Sequence, residues 1–344
     1  MRIGFYSSSD SWGGLQINVL RFAGWMRERN HAVSLFALPD SPLFKNAQDN
    51  GFNPIAIHKN RKVADWSNAR KIARQFRARD IELLWIRESQ DMSVVGLAKR
   101  FYPGFNILYQ QGMQLGISKK DWIHTQRFKR IDHWISPLNF LAEQVKTKTR
   151  YPHERINVVP LALETETWLG QSISRSEARK GLRIDSNALV LGLIGRIDPQ
   201  KGQRFLVSCL PRLLEDHPRC EILLVGETTR GEHEDYLAAL HADIAGRGLQ
   251  DKVHLHPFMA DPRAFFAATD IMVMASQGET FGMVTIEAML AGCPVIGTNA
   301  AGTPEILDQG EFGVLYEVDD QKSFVETIAP LIVNPQLRQT LAEK

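Results

Sequence analysis

The chain has 344 residues, of which 44% are hydrophobic and 23% charged; at roughly 150 residues per domain this suggests two domains or one large barrel. The composition is that of a globular protein and excludes a disordered or fibrous chain. The longest run without Asp, Glu, Lys or Arg, Ala288–Pro304, is broken by Gly292, Pro294, Gly297, Gly302 and Pro304. A spanning helix needs about 20 apolar residues, so a chain that crosses a membrane is excluded. The net charge of +2 conceals an asymmetry: residues 1–164 hold 25 Lys and Arg against 14 Asp and Glu, a balance of +11, and the remainder holds 16 against 25, a balance of −9.

Strands alternate with helices twice along the chain. Arg2–Ser7 reads as a buried first strand, and Leu15–Asn30 follows at helical spacing through Leu15, Val19, Phe22 and Trp25. Ala32–Ala37, Phe52–Ile57, Glu82–Ile86, Asn106–Gln110 and His133–Ser136 are short apolar runs of strand length, with helical patterns at Ala64–Arg79 and Ser89–Arg100. This rhythm predicts a doubly wound parallel sheet. Residues 165–186 are polar and read as a linker with one short helix, dividing an N-terminal domain (1–164) from a C-terminal one (187–344). The pattern then restarts. Ala188–Ile194, Cys220–Val225, Val253–Leu255, Ile271–Met274 and Pro294–Gly297 read as strands, with helices at Gln203–Leu214, Glu232–Ala245 and Met283–Ala291. The expected architecture is two Rossmann-like α/β domains facing each other across a cleft, with ligands at the carboxyl ends of the strands.

Four loops that follow predicted strands carry the chemistry. Ser11-Trp12-Gly13-Gly14-Leu15 opens a helix, and its paired glycines allow close backbone approach to a ligand; a plain strand-to-helix turn explains them as well. Gly195–Gly202 places Arg196 and Lys201 around a Pro-containing turn, where the two cations can converge on one phosphate pair or stand solvated. In Ser276–Glu287, Phe281, Gly282, Met283 and Val284 can present backbone N–H groups to an anion at a helix start. Glu279 and Glu287 are carboxylates suited to sugar hydroxyls. His254–Met259 ends a strand, and His256, Phe258 and Met259 can pack a planar base. Two histidines without neighbouring carboxylates make a poor metal site. No Walker loop or dinucleotide fingerprint is present. Cys209, Cys220 and Cys293 lack metal spacing and suggest no disulfide framework, and the N-terminal run Ile3–Tyr6 is too brief for a signal peptide, which together point to the cytoplasm.

Taken in order, Gly13-Gly14, Gly195-Arg196 with Lys201-Gly202, Glu279 and Glu287 with Phe281-Gly282 between them, Gly292-x-Pro294 and Gly302-x-Pro304-Glu305 resemble family 4 of the retaining glycosyltransferases, which have the GT-B fold. The resemblance implies transfer of a hexose-type sugar from a nucleotide-diphosphate sugar, UDP by default and GDP next, without a metal or other cofactor. It implies that Arg196 and Lys201 neutralise the departing diphosphate and that Glu279 binds donor hydroxyls near the reacting carbon. Glu287 would hold the ribose, residues 256–259 the base, and Gly13-Gly14 would close over the diphosphate. Where many members have His after the strand Asn106–Tyr109, this chain has Gln110-Gln111-Gly112, so Gln110 and Gln111 become the acceptor-side candidates. The family pattern usually continues with a helix returning to the first domain, whereas this chain ends at Lys344, soon after Asn334-Pro335; a longer native chain or a shorter helix is implied.

The basic charge gathers in Lys59–Arg79 and Ser118–Arg130, each with interleaved apolar residues. Either stretch suits an anionic membrane surface or a phosphorylated lipid-linked glycan, or packs on the sheet with its cations solvated. Nucleic acid is not expected, since no aromatic–basic binding module is present. The resulting expectation is a cytoplasmic, peripheral glycosyltransferase acting on a glycan or glycolipid in polysaccharide or lipopolysaccharide assembly. A nucleotide-sugar epimerase, a phosphorylase with a pyridoxal cofactor and an inactive nucleotide-sugar-binding protein are the competing readings.

Overall fold

The computed structural model describes residues 1–60, 65–166, 173–229 and 231–344. Parts of three expectations, the start of the helix at Ala64, residues 61–64 of the basic stretch Lys59–Arg79 and residues 167–172 of the linker, lie outside the described residues. The chain divides into two compact units, Met1–Pro160 and Leu161–Lys344. The first contains β1 (Arg2–Ser7), β2 (Ala32–Ala37), β3 (Ile55–Ala56), β4 (Leu83–Ile86), β5 (Asn106–Gln110), β6 (His133–Ser136) and β7 (Ile156–Val158). These form one parallel seven-stranded sheet in the order β3-β2-β1-β4-β5-β6-β7.

The second unit contains β8 (Leu189–Ile194), β9 (Cys220–Val225), β10 (Val253–His256), β11 (Ile271–Met274), β12 (Val295–Thr298) and β13 (Val314–Tyr316), in the parallel order β10-β9-β8-β11-β12-β13. Strands covered on both faces read as continuous apolar runs, and LVLGLI and CEILLV do so. The one charge within β9, Glu221, is buried and engaged by His254 Nε2 at 2.8 Å and Lys252 Nζ at 3.4 Å.

Each sheet has its own core. In the first unit, the helix Trp66–Ala78 lays Ala69, Ile72, Ala73 and Phe76 on the sheet, together with Tyr6, Phe36, Ile107 and Trp134. Asp65 caps that helix by accepting the Asn68 N–H at 3.1 Å. In the second unit, the helix Gln203–Asp216 packs Leu206, Val207, Leu210 and Leu213 against β8, β9 and β11. The other face is covered partly by Ala178, Leu182 and Ile184. The division therefore falls after Pro160, and residues 173–186 are built into the second unit rather than left as a free linker. The helix there, Arg175–Gly181, opens with a Ser174–Glu177 capping box and buries Ala178. All three cysteines are buried and free, and burial pushes their thiols up, to about 12 for Cys209 and Cys293 and about 11 for Cys220.

Candidate functional site in the second unit

Strand order reverses at β8, which has β9 on one side and β11 on the other. Loops leaving the carboxyl ends of β8 and β11 thus meet at the switch point of the sheet, the usual place for a ligand in this architecture. The β8 loop is pinned to β9 and its exit by Gly195 N–H to Val225 O (3.0 Å) and Ile197 N–H to Glu227 O (2.9 Å), and the Gln277 N–H to Gln200 O bond (3.0 Å) joins it to the β11 loop. A single 3₁₀ turn, Pro199–Lys201, is started by Pro199 and by Asp198, whose carboxylate accepts the Gln200 N–H at 2.9 Å. Gly202 ends it with φ 74°, and a Cβ there would lie 2.3 Å from the Ala275 carbonyl oxygen. Only glycine lets the two loops approach so closely.

This turn aims Lys201 at the β11 loop, where its Nζ lies 2.6 Å from Glu279 Oε2. Glu279 also accepts from Ser276 Oγ at 3.2 Å and from the Thr280 N–H at 3.2 Å. Burial alone would raise the Glu279 carboxyl; the Lys201 charge and these hydrogen bonds outweigh it and hold the carboxyl below the usual carboxylate range. Glu279 is therefore ionised at neutral pH. An ammonium has three donors, and the Glu279 contact occupies one of them.

The same loop runs into the helix Met283–Leu290. Gly282, at φ 74°, is its N-cap, and no side chain caps the first turn. Helix-start N–H groups of this kind favour anions. Phe281 is buried, Met283, Val284 and Glu287 are half-buried, and Glu287 stands one turn further along the helix. The Glu279 carbonyl accepts the Gly302 N–H at 3.0 Å, and Thr298 Oγ1 donates to the Ser276 carbonyl at 2.7 Å. The Gly302–Pro304 turn thus braces the β11 loop, which gives that motif a physical role.

Arg196 is placed differently from the expectation that it and Lys201 converge. Its side chain is 59% exposed and leans on Asp198 (3.4 Å) and Thr229 Oγ1 (3.4 Å), while Lys201 is held by Glu279. The spacing of five residues brings both cations to one loop but gives them separate partners. At the end of β10, His256 Nε2 meets the Leu182 carbonyl at 3.2 Å, Phe258 is 56% exposed and Met259 packs on the core.

In the first unit, Gly13 caps the helix Gly14–Glu28 without a side-chain bond, and the space beside both glycines is open: a Cβ on Gly13 meets only Gln16 Oε1 at 3.9 Å, and one on Gly14 meets nothing within 4 Å. Gln110 and Gln111 are buried and used by the fold. Gln110 Oε1 accepts from Trp85 Nε1 at 3.2 Å, and Gln111 Oε1 accepts from Trp134 Nε1 (3.1 Å) and Ser136 Oγ (2.9 Å). Their geometry lends the acceptor role no support.

Sequence reasoning missed a buried network at the carboxyl end of β1. Asp91 accepts from the Ser8 hydroxyl, from the Ser8 N–H (3.2 Å) and from Asn60 Nδ2 (2.8 Å), while Tyr6 OH donates to Asn60 Oδ1 at 2.9 Å. Burial pushes the Asp91 carboxyl up to about 7, against the hydrogen bonds from Ser8 and Asn60. The polar run Ser8-Ser9-Asp10 directly after an apolar strand was the available signal.

Two parallel α/β units of this strand order define a pair of Rossmann-like domains, and the solved structures agree. The chain superposes with a TM-score of 0.84 on Anabaena HepE, solved in complex with UDP and glucose, at 22% identity over 99% of this chain and 92% of that one. It superposes with a TM-score of 0.73 on WaaG, a glycosyltransferase involved in lipopolysaccharide biosynthesis, at 17% identity over 100% and 93%. The fold is GT-B. Residues 12–167 match the model of Glycosyltransferase Family 4, and residues 174–344 match that of the Glycosyl transferases group 1. Each half of the chain is thus matched by a glycosyltransferase model. Among curated relatives, Bacillus subtilis spore coat protein SA is 29% identical over 59% of this chain and 54% of its own length. The lipopolysaccharide core biosynthesis glycosyltransferase LpsE of Rhizobium meliloti is 31% identical over 48% and 46%. The D-inositol 3-phosphate glycosyltransferase of Acidothermus cellulolyticus is 31% identical over 55% and 42%. The chain spans about half the length of the curated relatives it matches.

Proposed function

We propose that this chain is a retaining, metal-independent hexosyltransferase that moves a hexose-type sugar from a nucleotide-diphosphate sugar, UDP favoured and GDP next, to a glycan or glycolipid of polysaccharide or lipopolysaccharide assembly. The observation that carries the reading is the Lys201–Glu279 pair at the switch point of the second unit, beside a helix start that no side chain caps. Lys201 keeps donors for a diphosphate while Glu279 stays ionised to accept from sugar hydroxyls. Arg196, on the same loop and open to solvent, supplies a second cation for the leaving group. The first-turn N–H groups at Phe281–Val284 take the remaining charge. Glu287 holds the ribose hydroxyls, and the His256–Met259 segment meets the base. The Gly13-Gly14 helix start serves the diphosphate as a second backbone anion site.

In the reaction, the bond from the anomeric carbon to the diphosphate oxygen breaks. The acceptor hydroxyl oxygen bonds to the same face of that carbon, and the hydroxyl proton passes to the departing diphosphate oxygen. Fixed cations at that oxygen stabilise the charge that develops there. The names of HepE, WaaG and LpsE support the nucleotide-sugar and lipopolysaccharide parts of this reading. The basic first unit supports a peripheral position on an anionic cytoplasmic membrane face, where a lipid-linked acceptor would be met. Incubation with UDP-hexoses and GDP-hexoses and a lipid-linked glycan acceptor, with and without EDTA, tests the proposal, with the product anomer read by NMR. Transfer with retained configuration that persists in EDTA is expected. Inverted product overturns retention, loss in EDTA overturns metal independence, and conversion of the nucleotide sugar to its epimeric nucleotide sugar without an acceptor makes the protein an epimerase.

A further inference from the structure

The two basic stretches fare differently in the fold. The helix Trp66–Ala78 buries its apolar face, Ala69, Ile72, Ala73 and Phe76, in the core, leaving its cations as a solvated outer face. The stretch after β5 does the opposite. Met113, Ile117, Trp122 and Ile123 are each between 66% and 73% exposed. They supply four of the eleven exposed large apolar side chains among the described residues, within eleven consecutive positions.

The platform that bears them is fixed. Leu115 is buried and its N–H donates to Gln144 Oε1 at 2.9 Å, Lys148 Nζ donates to the Leu115 carbonyl at 2.6 Å, and the Lys119 N–H donates to the Lys148 carbonyl at 2.7 Å. Asp121 caps the helix Trp122–Phe128 through the His124 N–H at 3.0 Å. That helix turns Thr125 and Phe128 inward. At 3.6 residues per turn, Ile123 then falls opposite the buried face and Trp122 on its flank.

The surroundings are cationic. Residues 113–150 hold eight Lys and Arg against three Asp and Glu, and the three acids are engaged: Asp121 with His124, Glu143 with Lys146 and Asp132 with Lys99. A protein-binding patch is depleted in lysine at its centre, whereas here Lys119 and Lys120 sit between Ile117 and Trp122. Apolar side chains interleaved with lysines match the boundary of an anionic bilayer, where rings and aliphatic chains enter the acyl edge and ammonium groups stay among the phosphates. We infer that the Met113–Ile123 platform docks this protein on an anionic lipid surface, with Trp122, Ile123, Ile117 and Met113 as the inserting side chains and Lys119 and Lys120 as the phosphate contacts. The inference rests on the proposed function only in making that surface the one that bears the acceptor; the docking itself stands on the exposed residues and their charge.

The test is flotation of the full chain with vesicles of pure phosphatidylcholine and of equal parts phosphatidylcholine and phosphatidylglycerol. Binding to the anionic vesicles alone is expected, and it should weaken with salt. It should fall about tenfold or more in the double variant Trp122→Ser, Ile123→Ser, and by roughly fivefold for each of Lys119→Gln and Lys120→Gln. The UDP-induced thermal shift, measured on every variant, reports the donor site and folding separately, so failure of docking and failure of the donor reading are distinguishable. Absence of binding by the unaltered chain, or equal binding by the variants, overturns the inference. So does an oligomer that Trp122→Ser dissociates without change in vesicle binding, which would assign the patch to a second copy of the chain.

Discussion

Two of the buried cation–carboxylate clusters in the second unit lie at opposite ends of one sheet, and their difference separates a site from a support. At the amino end, Asp270 pairs with Arg175 and, at 2.7 Å, with Arg179, and accepts the Val190 N–H at 2.7 Å. Arg179 also donates to the carbonyls of Ala268, Ser186 and Ala188 at 3.2, 2.8 and 2.9 Å. Every feature of that cluster ties the helix Arg175–Gly181 to the sheet. At the carboxyl end, Lys201 and Glu279 join two loops that only positive-φ glycines permit, next to an uncapped helix start. Arg175, Arg179 and Asp270 sum to a single positive charge and Lys201 with Glu279 to none; the second cluster has donors to spare and lies at the strand ends where ligands bind.

Removing Asp270 should produce the largest effect. Breaking one side of a buried ion pair costs about 3–5 kcal/mol, so Asp270→Asn should lose stability of that order in urea unfolding while the folded fraction keeps its transfer rate. Arg196→Ala should behave in the reverse way, lowering kcat/KM for transfer by roughly 100- to 1,000-fold with little change in Tm, because its side chain is mostly exposed. Equal damage to stability and rate in both variants would erase the distinction between the two clusters.

The Asp91 network gives a pH-dependent effect in the first unit. Its folded carboxyl titrates at about 7, above its ordinary value of 3.8. Between those values the folded state holds a proton that the unfolded chain has released, so stability is present at low pH and falls as pH rises through this window. The slope should approach at most about 1.4 kcal/mol per pH unit, and Asp91→Asn should flatten it in unfolding curves taken from pH 4 to 7. Smallest of all, Lys322→Ala on the exposed pair with Glu326, 3.9 Å apart, should shift stability by less than about 0.5 kcal/mol.

Much of the fold was legible because parallel strands are strongly apolar. Asn106–Gln110, His133–Ser136, Cys220–Val225 and Ile271–Met274 were read at the bounds they have in the structure. The helices Asn139–Lys148 and Gln321–Val333 went unread although they are of ordinary length; other misses are short or local in their cause. Ile156–Val158 and Val314–Tyr316 are three-residue edge strands, too brief for a period to register. The helix Pro42–Asp49 is half polar and rests on its Ser41 cap and on Pro42 at its first position. Within the site, residue types and loops were legible, but partnerships were not. Lys201 and Glu279 are 78 positions apart, and their pairing follows from strand order, which no local pattern encodes. The engagement of Gln110 and Gln111 by Trp85, Trp134 and Ser136 is hidden from sequence for the same reason.

The central claim is that the β8 and β11 loops of the second unit bind a nucleoside diphosphate through Lys201, Arg196 and the Phe281–Val284 helix start. Calorimetric titration of UDP into the unaltered chain and into Arg196→Ala tests it most directly. Binding at a single site that weakens by roughly tenfold or more in the variant, in keeping with loss of a charge-assisted hydrogen bond, is the predicted result. Equal affinity in the two proteins would contradict it and move the diphosphate to another part of the molecule.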